Sequence, residues 1–199
     1  MKSIEKELSV RAKADRRPKW LRHLCTVHHH RALVRKYCFK LELYRQGLMH
    51  DLSKYSPTEF IPGARFFQGT RSPNEREREI YGCSLAWMHH KGRNRHHYEY
   101  WNDYNPKTKQ IENVEMPVRY VIEMFCDRVA ASKIYNGKNY KDSDPYTYFL
   151  RIKGKHRMHP NTEELLDKLL VMLRDEGEEK TFNYIKTECL GRKKAGKKI

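Results

Sequence analysis

Long apolar runs are missing from this 199-residue sequence, and that absence is its first constraint. No run approaches the roughly 18 consecutive apolar residues of a membrane-spanning helix, so no membrane partner is expected. The amino-terminal Met1-Lys2-Ser3-Ile4-Glu5-Lys6-Glu7 lacks the apolar stretch of a signal peptide. Cysteine is sparse: Cys25, Cys38, Cys83, Cys126 and Cys189 are odd in number, far apart and without a Cys-x-x-Cys pair. That argues against a disulfide framework and points to reduced, mostly buried thiols in a cytoplasmic protein. Sustained period-two alternation is lacking too, which leaves no clear strand pattern.

Acid is scarce relative to base, with 25 Asp and Glu against 41 Lys and Arg, for a net charge of +16. Such an excess fits either a nucleic-acid partner or the attraction of phosphorylated substrates. Part of it sits in the head from Arg11 to Lys19 and in the tail from Gly191 to Lys198. Zinc-finger spacing is absent, as is an aromatic-plus-basic stretch of the kind that reads single strands. A solvated basic surface is therefore the favoured reading, with a nucleic-acid partner left open.

What is present is helical periodicity. One long helix is expected from about Pro18 to about Arg45, ended by Gly47. A second should start at Ser72-Pro73-Asn74-Glu75 and run through Trp87 to about His90, stopping near Gly92. Met116-Pro117 opens a third, to about Tyr135, with Gly137 beyond. Asn161-Thr162-Glu163-Glu164 reads as a capping box for a leucine-rich helix, and a last helix is expected from about Glu178 to Leu190. The predicted fold is all-α, one helical domain over residues 18–190. A basic segment, helical or flexible, precedes it at 1–17, and a flexible basic tail follows at 191–199.

The eleven histidines are concentrated. Eight of them lie at His28-His29-His30, at His50-Asp51, at His89-His90 and at His96-His97, with Asp127 further on in an otherwise apolar helix. Imidazole and carboxylate are the donors for zinc, iron and manganese. At ~100° per residue, Trp20, Leu24, Val27, Val34, Tyr37, Cys38 and Leu41 place His30 near the middle of the first helix's apolar arc. His28 and His29 then point away, and His23 is the reserve candidate. Asp127 lies on a helix with apolar residues nearly all round, which marks that helix as buried. A buried carboxylate needs a partner, either a metal or an arginine such as Arg128 or Arg119. Of His89 and His90, and of His96 and His97, one each is expected to reach an ion, because neighbours on a helix diverge by ~100°.

The order His30, then His50-Asp51, then Asp127, all on helices, resembles the HD-domain metal-dependent phosphohydrolase superfamily. Lys54, three residues beyond Asp51, is similar to the His-Asp-x-x-Lys variant of the HD-GYP branch, in which further histidines complete a multinuclear site. No Gly-Tyr-Pro follows His96-His97 here, so cyclic-dinucleotide specificity is not implied. The text from His30 to Tyr148 also resembles a small bacterial family of uncharacterised HD-like proteins. The resemblance implies an HD-domain-like helical bundle and one or two divalent transition-metal ions (Fe, Mn, Zn, Ni or Co). His30, His50, Asp51 and Asp127 would hold one ion, and His90 and His97, with His89 and His96 as alternates, a second. Asp51 would bridge. Lys54, Arg93 and Arg128 would contact the phosphate of a nucleotide or other phosphate ester, attacked by metal-activated water. The rival expectations are a di-iron oxygenase on the same scaffold, a basic nucleic-acid-binding protein with a non-catalytic metal site, and a closed structural metal site.

Overall fold

Pro18 sets the entry of the first helix, α1 (Lys19–Lys40), whose inward stripe is His23, Val27, His30, Val34, Tyr37 and Cys38. A computed structural model describes residues 15–154 and 158–192. The predicted head at 1–17 falls outside them as far as residue 14, and the predicted tail at 191–199 from residue 193 onward. Among the described residues the fold is all-α, with eight helices and one two-stranded hairpin. No helix is long and apolar enough to cross a membrane.

The long helix expected to reach Arg45 is in fact two. Glu42 adopts a left-handed φ of 60°, and Lys186 and Arg192 hold its carboxylate at 2.7 and 2.6 Å. Leu41 and Leu43, on either side of it, plug the core. The chain restarts as α2 (Tyr44–Met49). Gly47 is therefore inside a helix and does not end one. A Cβ there would stand 3.0 Å from the Cβ of Cys38, so the glycine lets α2 press onto α1. Trp20, expected inside, is 52% exposed.

A short 3-10 turn (Leu52–Tyr55) leads into α3 (Pro57–Phe66), which starts with proline at its first position. The helix expected from Ser72 to His90 also divides. Ser72 caps α4 (Pro73–Tyr81), Gly82 at φ 75° ends it, and Ser84 caps α5 (Leu85–Lys91). The sheet that the sequence hides is a hairpin of β1 (Asn102–Asn105) and β2 (Gln110–Asn113), antiparallel with Tyr104 opposite Ile111. Then follow α6 (Val118–Asn136), α7 (Asp144–Leu150) and α8 (Pro160–Tyr184), the last broken at Gly177 with φ 81° and ψ 173°. A π turn, Ile185–Cys189, ends the ordered helix. The capping box expected at Asn161–Glu164 is not used. His159 caps α8 instead, and Thr162 turns inward to accept from the Met116 amide at 3.0 Å.

The core lies between α1, α6 and α8. Val34, Leu41, Ile122, Phe125, Val129, Leu166, Leu169, Leu173 and Phe182 are almost wholly buried in it. At roughly 1.5–3 kcal/mol for each large side chain buried, this cluster fixes the rotation of α1 and α6. That rotation points His30 and Asp127 at one place.

His23 belongs to the packing. Its ring sits 5.4 Å from that of Phe60 and 5.7 Å from that of Phe67, and a Cβ on Gly63 would fall 2.3 Å from its Nε2. Burial, with the charge of Lys54 second, drives its pKa from 6.5 down to about 4. The unfolded chain thus takes up a proton that the folded one refuses, and stability falls as pH drops from 6.5 toward 4. On the scale of 1.36 kcal/mol per unit, the loss from this group is on the order of 2–3 kcal/mol. Denaturant unfolding at pH 7 and at pH 4, with chelator present, should therefore show a smaller acid loss for His23→Leu than for wild type. Equal losses would sink the assignment.

Candidate metal centre

Four segments of chain deliver the histidines and carboxylates. α1 brings His30; the end of α2 brings His50 and Asp51; α5 and the turn after it bring His90, His96 and His97; α6 brings Asp127. Asp51 has the left-handed conformation, φ 54° and ψ 24°, which is uncommon outside glycine and strained by roughly 1–3 kcal/mol. Its side chain is 1% exposed. Lys54 Nζ meets its Oδ2 at 2.7 Å, whereas its Oδ1 is buried without a hydrogen-bond partner, as are Nε2 of His96 and Nε2 of His97. Such unsatisfied groups are expensive inside a protein, and these three lie together in one cluster.

Two donor sets meet at Asp51. Its Oδ2 lies 3.6 Å from Nε2 of His30 and 3.5 Å from Nε2 of His50. Oδ1 of Asp127 closes that set at 2.9 Å from His30 and 3.6 Å from His50. The two imidazole nitrogens face each other at 3.4 Å. On the other side, Oδ1 of Asp51 lies 3.3 Å from Nε2 of His90 and 3.4 Å from Nε2 of His96. His97 completes this second set, within which all donor atoms lie within 4.8 Å of one another. Donors held ~2.1 Å from a common ion stand roughly 3–3.5 Å apart at tetrahedral or octahedral angles. The separations of Asp51 and Asp127 from His30 and His50, and of Asp51 from His90 and His96, have that size. The donor chemistry and the orphaned atoms both fit a divalent ion in each set.

Two glutamates behind the histidines set their tautomers. Glu123 accepts from Nδ1 of His50 at 2.9 Å and stands 3.2 Å from Nδ1 of His96. Glu59 accepts from Nδ1 of His90 and Nδ1 of His89, each at 2.7 Å. With Nδ1 turned to the glutamates, Nε2 of His50, His90 and His96 is the ring atom directed at Asp51, and it offers a lone pair to an ion when the ring is neutral. Arg31 steadies the turn by donating to the carbonyl of His50 at 2.7 Å and that of Leu48 at 3.1 Å. Asn94 bonds Ser53 Oγ and the carbonyl of His90, each at 2.8 Å.

Opposite charges dominate the electrostatics. Burial opposes ionisation at Asp51, yet His50, Lys54 and His90 together hold its carboxyl well below the usual range. Burial likewise opposes ionisation at Asp127, and His30 and His50 overcome it. Burial and the neighbouring His96 and His90 press His97 toward its neutral, ligating form. Lys54 resists its own burial because Asp51 lies 2.7 Å from its Nζ, and its pKa is raised.

The structure brings together seven of the eight residues expected to ligate: His30, His50, Asp51, His90, His96, His97 and Asp127. His28 and His29 are exposed, as helix geometry required. His89 is not in either donor set; it turns to Glu59. His96 and His97 both join, where one was expected, because they follow a turn and not a helix and need not diverge by a fixed angle. Arg93 is exposed and, among the described residues, pairs with no member of the cluster. Arg128 packs over the Phe149 ring at 5.7 Å, and Arg119 over Tyr120 at 5.1 Å. Neither is the partner of Asp127, and of the three expected phosphate contacts only Lys54 stands at the cluster. Glu123 and Glu59 went unforeseen. Glu123 had a signal, since it precedes Asp127 by four residues and so shares its face of the helix.

Residues 19–172 match a family described as Family of unknown function (DUF5662), and the chain belongs to that family. The matched span contains every residue of the cluster. Searches of curated proteins and of solved structures gave no match.

Proposed function

We propose that this member of a family of unknown function is a metal-dependent phosphohydrolase, acting on a nucleotide or other phosphate ester at a dinuclear His/Asp centre related to that of HD-domain enzymes. The observation that carries the reading is the placement of Asp51. One carboxylate with its two oxygens turned to two donor sets is what a pair of ions sharing a bridging ligand requires. Bound divalent ions would supply a nucleophilic water at neutral pH and neutralise charge developing on the phosphoryl oxygens.

The chain's own groups divide the remaining work. His30, His50 and Asp127 would hold one ion, and His90, His96 and His97 the other. Lys54 favours phosphate chemistry. Its side chain is half-buried and its ammonium is held charged against Asp51 at 2.7 Å, where a charged donor beside the proposed ions would meet a phosphoryl oxygen. The surrounding excess of base draws anions toward the site.

The test is elemental analysis of protein reconstituted with Fe, Mn, Zn, Ni or Co, alongside hydrolysis of nucleotides and aryl phosphate esters with and without dioxygen. The expected results are bound transition metal, oxygen-independent release of phosphate, and a Lys54→Met variant that keeps its metal but turns over about 100-fold more slowly. Turnover that consumes dioxygen would transfer the site to the oxygenase reading. Protein that takes up no transition metal would end both.

A further inference from the structure

The face of α1 turned away from the metal centre has no part in that chemistry, and its composition is unusual. Residues 19–49 contain a single acid, Glu42, already paired with Lys186 and Arg192. Arg35, Lys36 and Arg45 are exposed, and among the described residues none of them has an ion-pair partner. Two exposed rings lie among these cations. Phe39 is 39% and Tyr44 55% exposed, and they meet edge to face at 5.3 Å across the α1–α2 corner. At ~100° per residue Phe39 lies about half a turn round the helix from His30, so a partner on this face leaves the ions accessible.

We propose that this face binds single-stranded nucleic acid. Positive charge without interspersed acid complements a phosphate backbone, and the sequence pI of 9.7 belongs to the same pattern. Exposed rings between cations are the element that bases stack on, whatever their sequence. A duplex keeps its bases stacked on one another and offers these rings little. The proposal does not rest on the hydrolase reading and would hold if the metals were purely structural.

The test is fluorescence polarisation of the full chain with 12-nucleotide oligo(U) and oligo(dT), a duplex of equal length, and phosphatidylserine vesicles as the alternative anion. Wild type should bind both single strands more tightly than the duplex. With about three phosphates neutralised, affinity should fall about 20-fold between 50 and 200 mM salt. Arg35→Glu/Lys36→Glu and Tyr44→Ala should each weaken binding at least about 10-fold while metal content and helical circular dichroism stay at wild-type levels. Unchanged binding by Tyr44→Ala, a preference for duplex, or capture by vesicles without capture of either oligonucleotide would overturn the proposal. Oligo(U) and oligo(dT) bound alike places recognition on base and phosphate, and a strong bias to oligo(U) adds the ribose hydroxyl to it.

Discussion

Replacing Asp51 with asparagine is expected to remove both ions at once. Each donor set depends on one oxygen of that carboxylate, and it carries the only negative charge in the set with His90, His96 and His97. Asparagine keeps the side-chain shape and is among the few residues that tolerate the left-handed backbone at φ 54°, so the turn survives. What is lost is the charge and one ligand oxygen. Elemental analysis should show less than one ion per chain under conditions that saturate wild type, and any phosphoester turnover should drop at least about 1,000-fold. Far-UV circular dichroism should be unchanged. Full retention of both ions by Asp51→Asn would show that the carboxylate does not bridge.

Glu123→Gln should weaken both ions, and Glu59→Gln only one. Glu123 touches His50 of the first set and His96 of the second, whereas Glu59 holds only His90 among the proposed ligands. Both imidazoles meet the same oxygen of Glu123, Oε1, so a glutamine can still accept hydrogen bonds there but lacks the negative charge that supports both rings. Loss of such a supporting carboxylate typically lowers metal affinity 10- to 100-fold. Competition with a chromophoric chelator reads this directly: two weakened affinities for Glu123→Gln against one for Glu59→Gln. A Glu123→Gln protein with one affinity untouched would mean that the glutamate serves a single ion.

Much of the centre was legible because helices convert spacing into direction. Of three consecutive histidines only His30 could face the core, and only it is buried. Asp127 had to find a partner because its helix was apolar nearly all round. What escaped reading depended on contacts between distant segments. The break at Glu42 carries no glycine or proline, and its left-handed turn is secured by Lys186 and Arg192, about 150 residues away. Gly47 looked like a helix stop, but its lack of a side chain serves an approach to Cys38. The hairpin pairs Tyr104 with Ile111 and Asn102 with Asn113, with no buried face to impose alternation on the sequence. His96 and His97 were judged by helical angles that do not apply to the turn they occupy.

Two ions sharing Asp51, one with side chains from α1 and α6 and the other with α5 and the turn after it, would also be a cross-link. It ties together parts of the chain that lie tens of residues apart, and it can do so only in the folded state, because the unfolded chain offers no assembled set of donors. Folding and metal supply would thereby be thermodynamically linked: free ion at 100 times its Kd would add about 2.7 kcal/mol to stability for each site. With the proposed ions bound, the persistence of this fold, and not just its reactivity, would follow the metal content of its surroundings.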